Sequence, residues 1–498
     1  MARKTLGFSK ERKNLRYPSQ KSVIIKKMDT VQINIKKRQS ITVTIDSVAY
    51  GGKGVARLDN FVIFVRNALP GQQLKVKIIK KKPSFAEAII EEIIIQSPDY
   101  IDPKCIYFND CGGCTFQNLQ YSAQLKIKKQ QIEDVYTHLT NLAPVKILEP
   151  LASPEIWGYR NKMEFSAGDN RWIMKENDPE TPKDFAIGLH APRRFDKILD
   201  VEKCFLQNDT RNKIFIDIRK WMLKNKITLD NPKHHTGFLR NIMIREGAYT
   251  NEIMINFITR ENGKEILKPL IDDLIAYYPK ITSVVNNITK SKGQTSQGGE
   301  EILLYGNSVI HDTIGGIQYE ISANAFFQTN TKGAEQLYGV VRDFAGKTDK
   351  QVIWDFYSGT GSIALFLADI AKKVYGFEVV SAAVKNANKN TQKNNINNCE
   401  FFEANLDKFL KTNQELIQSL PPPDIVVIDP PRAGIHPKFL KEMVNLDAPK
   451  IIYVSCNPST QARDIEQLAA HGYKIEKIQP VDMFPHTWHI ESVALLTK

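Results

Sequence analysis

The chain changes its hydrophobic rhythm three times. Between Ser40 and about Ile95 it carries short alternating β-branched runs: Ile41-Thr-Val-Thr-Ile45, Phe61-Val-Ile-Phe-Val65, Leu74-Lys-Val-Lys-Ile78 and Ala86 to Ile95. Turn residues separate them at Gly51-Gly52, Gly54, Asp59-Asn60 and Pro70-Gly71. Period-two alternation with such punctuation predicts half-buried strands that close into a small all-β barrel of the oligonucleotide-binding (OB) type over residues 40–97. Tyr121 to about Leu139 then predicts a helix with a polar face rich in Gln and Lys. From Leu151 to about Tyr319 strands dominate, with helices near Asn208 to Lys224 and Gly263 to Tyr277, giving a central α+β domain over 98–320.

From Gln351 onward strands alternate with helices. The apolar run Val352 to Phe356 leads through Tyr357-Ser-Gly-Thr-Gly-Ser362 into a predicted helix from Ile363 to Lys372. Val374 to Phe377 is a second strand ending at Glu378, a helix follows to about Asn395, and Glu400 to Phe402 starts a third strand. Ile425 to Ile428 ends at Asp429-Pro-Pro-Arg432, and Ile451 to Val454 ends at Ser455-Cys456. This β-α-β-α order predicts an α/β domain over 321–498, a doubly wound parallel sheet that binds its ligands at the carboxyl ends of the strands.

Length and composition bound the alternatives. A chain of 498 residues predicts two to four domains. Hydrophobic content of 42% with 25% charged residues fits a soluble globular protein, and no apolar run approaches the ~18 residues of a membrane span. The net charge of +13 sits mostly in the first forty residues, where twelve Lys and Arg face only Glu11 and Asp29. Residues 1–39 are therefore expected to form a basic disordered tail, suited to nucleic acid through counterion release. No apolar core followed by small residues marks a secretory signal, and with six cysteines in so long a chain a reducing, cytoplasmic setting is expected. No membrane association and no obligate protein partner are expected.

The cysteines carry the first candidate chemistry. Cys105, Cys111 and Cys114 fall within ten residues, and Gly112-Gly113 let backbone N–H groups approach the sulfurs. Cys204 is the nearest later candidate for a fourth ligand, and four thiolates can hold either zinc or an iron–sulfur cluster. Cys456 stands apart, at a strand end before Asn457, a helix cap, and Pro458, a first helical residue. A helix N-terminus favours the nucleophilic thiolate.

Gly359-Thr-Gly361-Ser-Ile-Ala364 fits a loose G-x-G-x-x-G/A loop, and Glu378, 19 residues past Gly359, is placed to hold ribose hydroxyls. Alone, the loop suits a dinucleotide as well as S-adenosylmethionine, which leaves an NAD-dependent oxidoreductase open. Asp429-Pro-Pro-Arg432 instead suggests a slot for a planar base or an amine. Two basic stretches, Tyr159-Arg-Asn-Lys-Met163 and Leu239-Arg-Asn-Ile-Met-Ile-Arg245, are either RNA-facing strands or solvated faces. A non-catalytic RNA-binding protein using the tail and barrel is a further alternative.

Taken together, these motifs resemble a known family. Ala49-Tyr-Gly-Gly-Lys-Gly-Val-Ala56 and Leu69-Pro-Gly71 resemble a TRAM domain. Phe327-Gln328, Asp355 to Ser362, Glu378, Asp429 to Arg432, Ser455-Cys-Asn-Pro458 and Phe484-Pro-His-Thr-Trp-His-Ile-Glu491-Ser resemble the RNA uracil-5-methyltransferase family. The likeness runs from about residue 40 to the end, and the upstream cysteines resemble its ribosomal RNA branch. It implies a Rossmann-like methyltransferase domain, with S-adenosylmethionine held at Gln328, Tyr357, Ser362, Glu378, Asn405 and Asp429. Ser362 stands where the family often has Asn. The likeness also implies a [4Fe-4S] cluster on Cys105, Cys111, Cys114 and Cys204, and Cys456 as nucleophile with Glu491 as base. The implied substrate is a uridine in 23S ribosomal RNA within a single-stranded or remodelled loop, with a transfer RNA uridine as the alternative. By local pattern alone, Glu491 beside an apolar strand reads as a solvated edge residue.

Overall fold

The computed structural model describes residues 35–498 except 175–176, 178–179, 292–297, 347 and 407–408. The basic tail, apart from its last residues, and most of the polar loop expected at Gln294 to Gly299 lie outside the described residues. A six-stranded sheet comes first, formed by β1 (Ser40–Thr44), β2 (Ser47–Ala49), β3 (Lys53–Leu58), β4 (Phe61–Val65), β5 (Gln73–Lys81) and β6 (Phe85–Ile95). Its order is β1-β5-β6-β4-β3-β2, and alternate residues such as Phe61, Ile63 and Val65 fill its interior. Alternation therefore set which face went inside.

The helix α1 (Tyr121–Leu139) has the expected bounds, but its polar face is not left to solvent. Gln124, Lys128 and Gln131 are buried with Ile127, Ile132 and Val135. Each has a partner that compensates for its desolvation. Lys128 Nζ pairs with Asp482 at 2.6 Å and donates to Phe484 O, Gln124 bonds Phe116 O and Leu119 O, and Gln131 donates to Ala49 O. The helix is a strut joining the first sheet, the cysteine segment and the C-terminal loop.

The central sheet is seven-stranded, ordered β13-β12-β11-β10-β7-β8-β9. Its strands are β7 (Lys162–Gly168), β8 (Ala186–His190), β9 (Ile198–Asp200), β10 (Leu239–Glu246), β11 (Ile253–Thr259), β12 (Ile281–Ile288) and β13 (Glu300–Gly306). Two helices, α2 (Asp209–Lys224) and α3 (Lys264–Tyr277), cover one side, and the hairpin β14 (Val309–Ile314) and β15 (Ile317–Ser322) leads onward.

The C-terminal sheet contains β16 (Thr348–Phe356), β17 (Ala371–Glu378), β18 (Cys399–Glu403), β19 (Ile425–Ile428), β20 (Lys450–Ser455), β21 (Lys474–Val481) and β22 (Glu491–Thr497). Its helices are α4 (Thr331–Ala345), α5 (Ser362–Phe366), α6 (Ser381–Lys393), α7 (Phe409–Thr412), α8 (Gln414–Ser419), α9 (Pro437–Val444) and α10 (Pro458–Ala469). The strand order is β18-β17-β16-β19-β20-β22-β21. The first five run parallel, whereas β22 is antiparallel to both neighbours, so the sheet is mixed rather than wholly parallel. The helix expected from Ile363 to Lys372 ends at Phe366, and after a 3-10 turn at Ala368–Ile370 the chain enters β17 at Ala371. Pairing of Ala371 with Thr348 claims residues whose composition suited a helix.

The order in which strands are added switches sides at β16, with β17 and β18 on one side and β19 and β20 on the other, all running parallel. Such a switch point leaves a crevice at the strand ends. Phe356 anchors it, with ring centroids 4.9 Å from Phe439, 5.1 Å from Phe377 and 5.2 Å from Phe409. Each such pair is worth ~0.5–1.5 kcal/mol beyond its buried area, which makes the crevice floor rigid.

Candidate active site

Backbone conformation opens the crevice. Tyr357, Gly359 and Gly361 all have positive φ, at 61°, 56° and 81°. A Cβ on Gly361 would lie 2.6 Å from the Phe401 ring, so this position combines a left-handed backbone with no room for a side chain. Glu378 ties the loop to the adjacent strand: Gly359 N donates to Oε2 at 3.0 Å and Val380 N to Oε1 at 2.9 Å.

Gln328, Ser362 and Asp429 meet around Tyr338, a residue the sequence patterns did not single out. The buried Tyr338 hydroxyl hydrogen-bonds with the Ser362 and Gln328 side chains and feels the charges of Asp429 and Asp355. Burial, then those carboxylates, pushes its pKa up. Asp355 is 1% exposed, and neither carboxylate oxygen has a well-formed hydrogen bond among the described residues. Burial and the neighbouring Asp429 push Asp355 well above the usual carboxylate range, and burial pushes Asp429 up to about 7. Two desolvated carboxyls side by side form a site that a cation would satisfy. Asn405 is exposed just beyond β18.

The second half of the site follows from strand register. In the antiparallel pair of β20 and β22, Ser455 is opposite Ser492, with Ser492 Oγ donating to Ser455 O at 3.3 Å. Cys456, one residue later, and Glu491, one residue earlier, are thereby brought to the same end of the sheet. Glu491 is 8% exposed and lies on a strand paired on both sides, which corrects its reading as an edge residue. Burial first, then Asp429, holds the Glu491 carboxyl well above its ordinary value, with Arg432 opposing.

Asn457 caps α10 as expected: its side chain accepts from Ser459 N, and Pro458 occupies the first turn. The cap does not lower the thiol pKa in the free protein. Burial, then Glu491 and Asp429, pushes Cys456 up to about 11, and these outweigh the helix terminus. Arg432 opposes them by charge and by a side-chain hydrogen bond to the thiol. It also approaches His489 Nδ1 at 3.5 Å, while its carbonyl accepts from Asn457 Nδ2 at 3.0 Å. Arg432 is thus a further site residue, visible in the sequence only as the end of a motif.

Cys105, Cys111, Cys114 and Cys204 are half-buried and near enough that the charge of Cys204 raises each of the other three. Burial is the larger cause, and Cys111 and Cys114 are both pushed up to about 12. Gly113 N donates to Cys111 Sγ at 3.3 Å. Among the described residues, no group of three or more His, Cys, Asp or Glu is arranged to hold a metal ion. The basic stretches prove to be neighbouring strands with Arg245 opposite Lys162, and Arg240 and Arg245 are buried rather than solvated. Arg245 donates to Ser322 O and Ala325 O. No helix of the described residues is long and apolar enough to cross a membrane.

Comparison with known proteins adds to this geometry. The tRNA (Uracil-5-)-methyltransferase family profile matches residues 246–498, and the TRAM domain profile matches 35–90. An uncharacterized RNA methyltransferase of Chlorobaculum tepidum is 36% identical over 95% of this chain and 99% of its own length. One from Clostridium acetobutylicum is 36% identical over 94% of this chain and 98% of its own. The crystal structure of Pyrococcus abyssi tRNA (uracil-54, C5)-methyltransferase in complex with S-adenosyl-L-homocysteine superposes with a TM-score of 0.71 at 28% identity, covering 92% of this chain and all of that one.

Proposed function

Because the chain belongs to the tRNA (Uracil-5-)-methyltransferase family, whose members are S-adenosylmethionine-dependent RNA methyltransferases, we propose that it methylates C5 of a uridine in 23S ribosomal RNA through a covalent Cys456 adduct. The observation that carries this reading is the register of β20 and β22, which sets a thiol and a carboxyl together beside a crevice that holds the buried acids Asp355 and Asp429.

S-adenosylmethionine, when bound, supplies a methyl group on a cationic sulfonium. Gln328, Tyr357, Ser362, Glu378, Asn405 and Asp429 would hold it. Asp355 and Asp429 fit a ligand carrying positive charge, and Glu378, with its backbone N–H contacts, fits the ribose. C5 of uracil is a weak nucleophile. Cys456 Sγ, as the thiolate favoured by Arg432, adds to C6, and the electron pair of C5=C6 passes towards O4 as an enolate. C5, made nucleophilic by this addition, would take the methyl group that bound S-adenosylmethionine supplies, the sulfur keeping the bonding pair and leaving as a neutral thioether. Glu491 removes the C5 proton as the Cys456–C6 bond breaks, which restores C5=C6, frees the Cys456 thiolate and leaves the proton on Glu491. The base must leave its stack to reach Cys456, which suits a single-stranded or remodelled loop.

The four-cysteine set is read as a [4Fe-4S] site on Cys105, Cys111, Cys114 and Cys204. Supporting this reading, Cys105, Cys111 and Cys114 all feel the charge of Cys204, and four thiols in one neighbourhood are the donor set of such a cluster. Such a cluster would organise the fold and the RNA surface, since the proposed reaction has no electron-transfer step. A transfer RNA uridine is the second reading, favoured by the Pyrococcus abyssi likeness.

The test uses 5-fluorouracil-substituted fragments of 23S ribosomal RNA and of transfer RNA with S-adenosylmethionine. Fluorine at C5 cannot leave as a proton, so a stable adduct accumulates. Adduct formation with the ribosomal fragment, lost in Cys456→Ala, is expected. An adduct with transfer RNA alone moves the substrate assignment, and none with either overturns the mechanism.

A further inference from the structure

The first domain reaches the nucleophile. Tyr50, in the turn between β2 and β3, donates its hydroxyl to Cys456 O at 2.9 Å, across 406 residues of sequence. The carbonyl is otherwise left over by the helix that follows. The helix backbone begins with Gln461 N donating to Asn457 O, so Cys456 O lies outside the helical ladder. Ser455 Oγ fixes the next amide by accepting from Asn457 N at 3.1 Å. Tyr50 therefore fixes one side of the Cys456–Asn457 peptide and Ser455 the other. With both sides held, the Cα–Cβ bond that aims Sγ has a set direction.

The same ring reaches the base's loop. Tyr50 packs edge-on against Trp488 with centroids 5.0 Å apart, and Trp488 lies against His489 at 3.9 Å. Gly52 gives the turn room: a Cβ there would come within 2.8 Å of Thr115 Cγ2 and 3.4 Å of Trp488 Cδ1. Burial, and after it the charge of Cys456, keeps the Tyr50 phenol above its ordinary pKa, so it remains a donor at neutral pH. The turn lies within Ala49-Tyr-Gly-Gly-Lys-Gly-Val-Ala56, part of the matched TRAM domain.

We infer that Tyr50 is a positioning residue for the methyl-transfer reaction, its hydroxyl holding the Cys456 peptide and its ring holding the Trp488-His489 segment that precedes Glu491. The first domain thus completes the catalytic centre instead of only holding RNA. Loss of RNA contact by this domain would weaken binding, whereas loss of this contact slows the bound complex.

This inference rests on the proposed reaction, and the test separates the two. Tyr50→Phe keeps the ring against Trp488 and removes only the donor. Expected results are a single-turnover rate about tenfold lower, equivalent to ~1.4 kcal/mol, with KM for RNA and the thermal midpoint unchanged. Hydrogen exchange by mass spectrometry, which needs no activity, is expected to speed severalfold in the peptide spanning 453–461 and nowhere else in the C-terminal sheet. Tyr50→Leu, which also loses the ring, should extend faster exchange to 484–490. An unchanged rate or unchanged exchange at 453–461 in Tyr50→Phe overturns the inference, as does a loss explained by KM or by stability. A wild-type protein that forms no adduct, yet shows the exchange difference, overturns the proposed reaction and leaves the contact intact.

Discussion

Cys456 and the group of Cys105, Cys111, Cys114 and Cys204 share one property and differ in another. In both regions burial pushes the thiols up, Cys456 to about 11 and Cys111 and Cys114 to about 12. Their neighbours separate them. Around Cys456 stand two carboxyls and the exposed Arg432, so the thiol has a proton acceptor and a cation beside it. Around Cys105, Cys111 and Cys114 the neighbouring thiols add to the cost of ionising, a cost that a metal centre would remove, and only Cys204 has cations, Arg160 and Arg211, that oppose its burial. A raised thiol pKa alone therefore does not tell an inert cysteine from a reactive or a ligating one. The charges that answer it do.

Each of these neighbouring groups can be removed in turn. Glu491→Gln should have the largest effect: turnover falls by about 10²–10⁴-fold, while the adduct with ordinary uridine RNA now accumulates on denaturing gels. A variant that turns over normally would remove Glu491 as the base. Cys204→Ser should instead abolish visible absorption and iron content and lower the thermal midpoint, whereas Cys456→Ala retains both. A colourless wild-type protein, purified without oxygen and carrying only zinc, would reverse the metal assignment.

Asp429→Asn should have the smallest effect on the fold and a readable sign. A carboxyl whose folded pKa is raised from 3.8 to about 7 binds a proton more tightly in the folded state, so its contribution to stability declines as pH rises from about 4 to 7. The variant should therefore melt above the wild type at pH 8 and lose that advantage near pH 4, while S-adenosylmethionine binding weakens. Equal melting curves at both pH values would show that Asp429 is not desolvated.

Much of this architecture was written in local pattern. Alternation in Phe61 to Val65 set the inward face of β4, the α1 bounds followed its periodicity, and Asn457-Pro458 started α10. The misreadings share a cause. Glu491 looked like an edge residue because its burial depends on strands on both sides, one of them ending at Ser455. Lys128 belonged to the polar face of α1 by pattern because its partner, Asp482, lies 354 residues away. Residues 371–372 looked helical until β16 claimed them. Tyr338 carried no signal, and Tyr50 stood out only as part of the TRAM-like motif, since neither tyrosine points to a catalytic centre until the fold sets them beside Gln328 and Cys456.

The Lys128–Asp482 pair bears on how separable these domains are. Both side chains are wholly buried, and one belongs to α1 while the other lies beyond β21. Separating the C-terminal sheet from α1 would take from Asp482 both Lys128 and the Tyr121 hydroxyl and would bare the apolar surface covered by Ile132, Val135 and Tyr136. The catalytic sheet is therefore a poor candidate for transplantation onto another RNA-binding module unless α1 travels with it.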